Sequence, residues 1–142
     1  RTYPGLPHRM ERVAEIGGVA YVNDSKGTNT AASAPALAAF ENIHWIVGGL
    51  AKEPGLGECE AELDHVKAAY TIGRSGDEFA RLLEKRVSIK RSVTLEQALF
   101  DASNAAVSGD TVLLSPACAS FDQYRDFEAR GDHFRDLVEA LK

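Results

Sequence analysis

The 142-residue chain has little of what marks several large protein classes. Its two cysteines, Cys59 and Cys118, form no CxxC pair, which excludes a disulfide framework and a thiolate zinc site. The four histidines, His8, His44, His65 and His133, show no metal-ligand spacing, so no metal site is expected. No apolar run approaches the ~20 residues of a membrane span. The start, Arg1-Thr2-Tyr3-Pro4-Gly5, has neither the layout of a signal peptide nor an initiator methionine. It reads as a piece cut from something longer, and two thiols without an export signal predict a cytoplasmic protein. Basic residues are outnumbered, 16 against 21 acidic, for a formal charge of −5. Such a surface repels phosphate backbones and argues against general nucleic-acid binding. GxxxxGK[ST] is absent, and Gly55-Leu56-Gly57 fails as GxGxxG because Glu60 stands at the third glycine. Alone, the chain is poorly equipped to hold a triphosphate or dinucleotide.

What is present is an ordinary globular mixture, 44% hydrophobic and 26% charged, with no repeat or low-complexity tract. This predicts one domain over residues 1–142. Residues Arg1 to Pro7 look like an incoming connection. Beyond it, apolar runs at Arg9–Ile16, Val19–Asn23, His44–Val47, Ala68–Ile72, Val87–Lys90 and Thr111–Leu114 read as strands. Helical patterns fill the gaps: Ala31–Phe40, Asp77–Lys85, Thr94 to about Val107 with a Thr94/Gln97 capping box, and Asp126–Leu141. Pro35 is tolerable in the first of these only in its first turn. The alternation predicts an α/β fold, a mostly parallel sheet of about six strands sandwiched between helices. Gly17-Gly18 closes a hairpin, making the first strand an antiparallel edge.

In open α/β sheets, ligands bind at the C-terminal ends of the strands. The loops expected there are Asp24-Ser25-Lys26-Gly27-Thr28, Gly48-Gly49-Leu50-Ala51-Lys52, Gly73-Arg74-Ser75-Gly76 and Ser115-Pro116-Ala117-Cys118-Ala119-Ser120. They bring two lysines, an arginine, several hydroxyls and flexible glycines to one edge of an acidic chain, suiting a small, multiply charged anion. Each residue has a plainer reading as well. Lys26 and Lys52 can be solvated loop lysines, and Ser120 can be the N-cap of a segment starting at Asp122. Phe121, Tyr124 and Phe127 can be core or lid aromatics, and Cys118 a small buried residue rather than a nucleophile.

Taken together, the loops resemble one family. Leu6-Pro7-His8-Arg9, Asn23-Asp24-Ser25-Lys26-Gly27-Thr28-Asn29, Gly48-Gly49-x-x-Lys52, Leu114-Ser115-Pro116-Ala117-Cys118-Ala119-Ser120-Phe121-Asp122-Gln123 and Phe127-Glu128-x-Arg130-Gly131-Asp132-x-Phe134 occur in order along nearly the whole chain. The pattern is similar to the C-terminal domain of the Mur ligases, specifically their D-glutamate-adding members. The Asp-Asn-Pro-Arg of the diaminopimelate-adding sisters and the His-His-Pro loop of the alanine-adding sisters are missing. Gly27 stands where many of these proteins have alanine, a change expected to be harmless, and Leu50-Ala51 replaces a polar pair often found before the lysine.

The resemblance implies a Rossmann-like three-layer sandwich, the last of three domains, with the N-terminal UDP-binding and central ATPase domains absent from this chain. It implies a role in ATP-dependent addition of D-glutamate to UDP-N-acetylmuramoyl-L-alanine in peptidoglycan synthesis. That reaction passes through an acyl phosphate and uses Mg²⁺ in the full-length enzyme. The isolated domain is expected to be inactive, monomeric and without a tightly bound cofactor. On this resemblance Lys52 and Thr28 hold the α-carboxylate of D-glutamate. Ser120, with the backbone around Phe121 and Phe127, receives the γ-carboxylate. Lys26 is the catalytic residue, reaching the phosphates or acyl phosphate, and Arg9, Asp24 and Lys26 contact the nucleotide. Two other readings are a related amide ligase of the Mur or folylpolyglutamate type and a non-catalytic domain binding a small anion.

Overall fold

Gly17 and Gly18 adopt φ of 60° and 81°, the left-handed pair that a two-residue hairpin needs to match strand twist. They join β1 (Glu11–Ile16) to β2 (Val19–Asn23) in the antiparallel pair. This is the N-terminal edge of a computed structural model that describes residues 7–142; the part of the incoming connection before Pro7, with Leu6 of the first motif, lies outside the described residues. β1 starts at Glu11 rather than Arg9 because His8 and Met10 have positive φ, 66° and 46°, which interrupts an extended chain.

The remaining elements are α1 (Thr30–Ala39), β3 (Ile43–Gly48), a 3₁₀ segment (Gly57–His65), β4 (Val66–Ile72), α2 (Gly76–Leu83), β5 (Ser88–Val93), α3 (Leu95–Ala105), β6 (Thr111–Leu114) and α4 (Phe127–Glu139). The sheet runs β1-β2-β6-β3-β4-β5, parallel except for the β1/β2 pair. Helix covers both faces of the sheet. Trp45 and Val47 pack with Leu37, Cys59, Phe79 and Cys118 on one side. Ile46 and Tyr70 pack with Leu99, Phe134 and Val138 on the other. Burial on both faces explains why β2, β3 and β6 read as nearly unbroken apolar runs.

Helix α1 departs from expectation in one respect. Pro35 sits in its second turn, not its first. Its ring removes the bond to the Ala31 carbonyl, but Pro35 and Ala31 are both exposed, so water can take that carbonyl. Among the described residues no helix is long and apolar enough to cross a membrane.

Because β6 inserts between β2 and β3, the loops after β2, β6, β3 and β4 leave the sheet side by side. Residues about ninety positions apart in sequence, such as Asp24 and Ser115, are thereby brought into contact.

Candidate functional site

The loop after β2 is an Asx turn. Asn23 Oδ1 accepts from the Ser25 N–H at 3.1 Å, and the Gly27 N–H returns to the Asp24 carbonyl at 2.8 Å. Asp24 itself is buried. One carboxylate oxygen accepts from the Met10 N–H at 3.0 Å and the other from Ser115 Oγ at 2.6 Å. Burial raises its pKa to about 6, against the pull of Ser115, Met10, Arg9 and Arg130. Arg9 and Lys26 are exposed, and the Lys26 N–H donates to the His8 carbonyl at 2.9 Å. The connection at residues 8–10 is therefore bonded to this loop at two points.

Gly27 is tighter than expected of a harmless alanine substitute. A Cβ there would lie 2.5 Å from Ser33 Oγ and 2.9 Å from Ser115 Oγ. In this chain both hydroxyls are engaged, Ser33 Oγ with the Ala117 N–H and Ser115 Oγ with Asp24.

After β3, Gly48 and Gly49 take φ of 131° and 135°. A Cβ on Gly48 would fall 2.0 Å from the Ile72 carbonyl oxygen, so strand β4 leaves room for hydrogen only. Leu50 and Ala119 exchange N–H···O bonds of 2.9 Å in both directions, and the Ala51 N–H donates to Ser75 Oγ at 3.1 Å. Backbone N–H and C=O groups of Leu50 and the Ala51 N–H thus tie this loop down, and Ala51 packs against the core. Lys52 is exposed; its Nζ donates to Thr28 Oγ1 at 3.4 Å, joining the first loop to the second.

The loop after β6 carries the most telling atom. Ser120 is 2% exposed, and its Oγ has no hydrogen-bond partner among the described residues. It does not cap a helix. Its carbonyl accepts from Gln123 and Tyr124 N–H groups in a turn, while α4 begins later, capped by Asp126 accepting from the Ala129 N–H at 2.8 Å. A buried hydroxyl left without a partner costs about 1–3 kcal/mol, which makes Ser120 Oγ a candidate donor to a ligand. Phe121 next to it is 67% exposed. Phe127 is half-buried, stands edge-on to His8, and lends its carbonyl to Ser25 Oγ at 2.7 Å. Cys118 is buried, and burial pushes its thiol up to about 12, the opposite of an activated nucleophile.

Arg130 is a site residue to which the sequence reading assigns no role. It is 1% exposed. Its guanidinium donates to Ser25 Oγ (2.9 Å), the Ser25 carbonyl (2.8 Å) and the Cys118 carbonyl (3.0 Å). It therefore fixes the spacing between the β2 and β6 loops. Burial lowers its pKa to about 10, leaving it charged at neutral pH. A signal existed in the sequence: Phe127, Arg130 and Phe134 share the inward stripe of α4, and an arginine there needs buried partners. The following Gly131 keeps space for His8, whose Nδ1 would lie 2.1 Å from a Cβ.

The structure thus joins Thr28 to Lys52, Asp24 to Ser115, and Ser25 through Arg130 to Cys118. It leaves Arg9, Lys26 and Phe121 exposed on the same edge. The arrangement offers cationic and hydroxyl donors in separated sets, as a molecule with two or more anionic groups requires. No group of three or more His, Cys, Asp or Glu side chains able to hold a metal ion occurs among the described residues. A separate depression of about 630 Å³, lined by His44, Lys67, Tyr70, Lys90 and Phe100 among others, lies where β3, β4 and β5 begin, away from these loops.

Comparison with known proteins agrees in sequence and in fold. Residues 8–118 match the family model described as Mur ligase, glutamate ligase domain. The chain is 61% identical over 140 residues to the UDP-N-acetylmuramoylalanine–D-glutamate ligase of Novosphingobium aromaticivorans, covering 99% of this chain and 32% of that protein. It is 50% identical over 141 residues to the ligase of the same name from Zymomonas mobilis, with 99% and 32% covered. The chain therefore spans about a third of the length of the curated relatives it matches. Among solved structures, the bifunctional folylpolyglutamate synthase/dihydrofolate synthase of Yersinia pestis superposes with a TM-score of 0.61 at 22% identity, over 96% of this chain and 31% of that one. A domain from a putative UDP-N-acetylmuramate:L-alanyl-γ-D-glutamyl-meso-diaminopimelate ligase of Haemophilus ducreyi does so with a TM-score of 0.61 at 12% identity, over 94% of this chain and 100% of that one.

Proposed function

The chain belongs to the Mur ligase glutamate-ligase domain family, and from that premise we propose that it is the D-glutamate-receiving domain of a ligase that joins D-glutamate to UDP-N-acetylmuramoyl-L-alanine with hydrolysis of ATP. In this reading the rest of the enzyme supplies the UDP-binding and phosphate-loop domains, and the complete protein works in the cytoplasm as a single copy. Transfer of the γ-phosphoryl group to the alanyl carboxylate gives an acyl phosphate. The D-glutamate amine attacks its carbonyl carbon, the nitrogen gives up a proton, and the tetrahedral adduct expels phosphate to leave the amide. This chain contributes positioning and charge.

The observation that carries the reading is the unpartnered Ser120 Oγ, on the same edge as the Lys52–Thr28 contact. Ser120 follows Ala119, which is paired with Leu50 two residues before Lys52. The two donor sets therefore stand on bonded loops, one for each carboxylate of glutamate. Lys52 and Thr28 take the α-carboxylate. Ser120 takes the γ-carboxylate, with the backbone near Phe121 and Phe127. Lys26, exposed and on the loop beside them, reaches the reacting phosphate. Arg9 meets the nucleotide directly. Asp24 has both oxygens engaged, so its part includes holding the Arg9 connection against the Lys26 loop. ATP fits the exposed cations Arg9 and Lys26, with Mg²⁺ in the complete enzyme accompanying its phosphates. Bound there, the metal would neutralise phosphate charge.

The test is a chimera in which this chain replaces the matching third of the Novosphingobium relative, with phosphate release followed in the presence of UDP-N-acetylmuramoyl-L-alanine, ATP and magnesium. Release that requires D-glutamate, and that L-glutamate, L-alanine and diaminopimelate do not support, is the expected result. Indifference to D-glutamate would overturn it. This chain alone should hydrolyse no ATP.

A further inference from the structure

Lys52 stands on an exposed stretch, so its place against Thr28 depends on how the backbone either side is held. Upstream, Leu50 is paired with Ala119 and the Ala51 N–H is bonded to Ser75 Oγ. Downstream, the next residue is the anchor. Glu53 Oε1 accepts from the Thr30 N–H at 2.8 Å and from Thr30 Oγ1 at 2.7 Å. Beyond it come exposed Pro54 and Gly55 with φ of 79°, a stretch unable to hold Lys52 by itself. Asn29 caps α1 through the Ala32 N–H at 2.7 Å and its carbonyl takes the Ser33 N–H, leaving the Thr30 N–H among the first-turn donors outside the cap, and Glu53 satisfies it. The chain thus makes a closed circuit: Thr28 to Lys52 through the ammonium, Lys52 to Glu53 through one peptide, and Glu53 back to Thr30.

We propose that Glu53 is a positioning residue for Lys52, holding the ammonium beside Thr28 Oγ1 and so setting the affinity for D-glutamate without touching it. The assignment rests on the reading of this edge as the D-glutamate site. The bonds from the Thr30 N–H and hydroxyl, with the Lys52 charge, also hold the Glu53 carboxyl below its ordinary range, so it stays a carboxylate throughout the neutral range.

The role belongs to the acceptor oxygen, not to the charge. Glu53→Gln keeps an oxygen able to accept both Thr30 bonds, whereas Glu53→Ala keeps neither. If Glu53 acted instead by repelling an incoming carboxylate, Glu53→Gln would bind D-glutamate more tightly. In the chimera, Glu53→Ala should raise the KM for D-glutamate roughly tenfold, the scale of one to two lost hydrogen bonds. Both kcat and the KM for ATP should stay within about twofold of wild type, and Glu53→Gln should keep all three within that limit. In this chain alone, backbone order parameters for residues 51–55 should fall below about 0.6 in Glu53→Ala and stay near wild type in Glu53→Gln.

An unchanged KM for D-glutamate in Glu53→Ala, an equal loss across all three constants, or a fall of KM in Glu53→Gln would overturn the proposal. Should the wild-type chimera ignore D-glutamate, the functional reading falls on its own. The Glu53 assignment is then decided by the order parameters, and an ordered 51–55 loop in Glu53→Ala overturns it.

Discussion

Two buried polar side chains at this site have opposite energetic characters, and that difference separates binding from scaffolding. Ser120 Oγ is buried with nothing to bond among the described residues, so removing it takes away a penalty rather than an interaction. Ser120→Ala should leave unfolding free energy within about 0.5 kcal/mol of wild type or raise it, while the chimera loses D-glutamate-dependent turnover. Urea denaturation beside the kinetic assay tests both halves, and a clear loss of stability would mean that the hydroxyl is structural. Arg130 is the reverse case. Its three bonds satisfy Ser25 and Cys118, and no other side chain on α4 bridges those two loops among the described residues. Arg130→Met should cost about 2–4 kcal/mol through the carbonyls left unsatisfied. Arg130→Lys should recover little of this, because a single ammonium lacks the planar fork that spans both loops.

Between elements, close approach of backbones governs tolerance, and glycines that look alike in sequence behave differently. Gly17 has φ of 60° and nothing within 4 Å of the place a Cβ would take, whereas Gly48 would press a Cβ to 2.0 Å from the Ile72 carbonyl. Gly17→Ala should cost about 1 kcal/mol, the strain of a left-handed non-glycine residue. Gly48→Ala should cost at least about 3 kcal/mol or prevent folding, since β3 and β4 must separate. Thermal denaturation of the pair settles it, and equal losses would refute the argument from close approach.

This contrast also marks how far the sequence reads at the level of elements. Strands β2, β3 and β6 announce themselves because burial on both faces demands continuous apolar runs, whereas β5, SIKRSV with only Ser92 buried, carries no such run; the hairpin is legible because paired glycines have few other uses. The 3₁₀ segment Gly57–His65 has no such mark. Only Cys59 and Leu63 of its residues are buried, and four acidic side chains within GECEAELDH make it resemble a solvated loop. That the loops carrying Lys26, Thr28, Lys52 and Ser120 leave one end of the sheet follows from the strand alternation and its topology, and the proposed anion site rests on that placement. What the Ser25–Arg130 and Thr30–Glu53 bonds require is contact across 105 and 23 positions, and no local pattern encodes those partners.

For the molecule as a whole, two buried carboxylates at opposite ends of the parallel strands pull the pH dependence of stability in opposite directions. Asp110 precedes β6 and meets His44 at 2.9 Å, while the Lys67 ammonium reaches both of its oxygens, at 3.1 and 3.0 Å. Burial alone would raise its pKa, but these bonds and the Val107 N–H bring it down to about 2. A carboxyl held below its unfolded value near 3.8 stabilises the fold above that pH and loses the effect as pH falls toward 2. Asp24, just after β2 at the other end, is raised to about 6. Its contribution is whole below about pH 4 and is lost as pH rises through 6, because the folded protein must ionise a carboxyl that burial disfavours. At about 1.4 kcal/mol per pH unit between the folded and unfolded pKa, the loss from Asp24 is at most about 3 kcal/mol. Asp24→Asn keeps an oxygen for the Met10 N–H and turns an amide toward the Ser115 hydroxyl, which can accept, so the fold should tolerate it. Urea unfolding of wild type and Asp24→Asn from pH 4 to 8 should then give curves whose separation changes by up to about 3 kcal/mol in favour of the variant as pH rises. The change should be centred between about pH 4 and 6. Parallel curves across that window would mean that Asp24 ionises in the fold as readily as in the unfolded chain, and that the bonds from Met10 and Ser115 fully offset its burial.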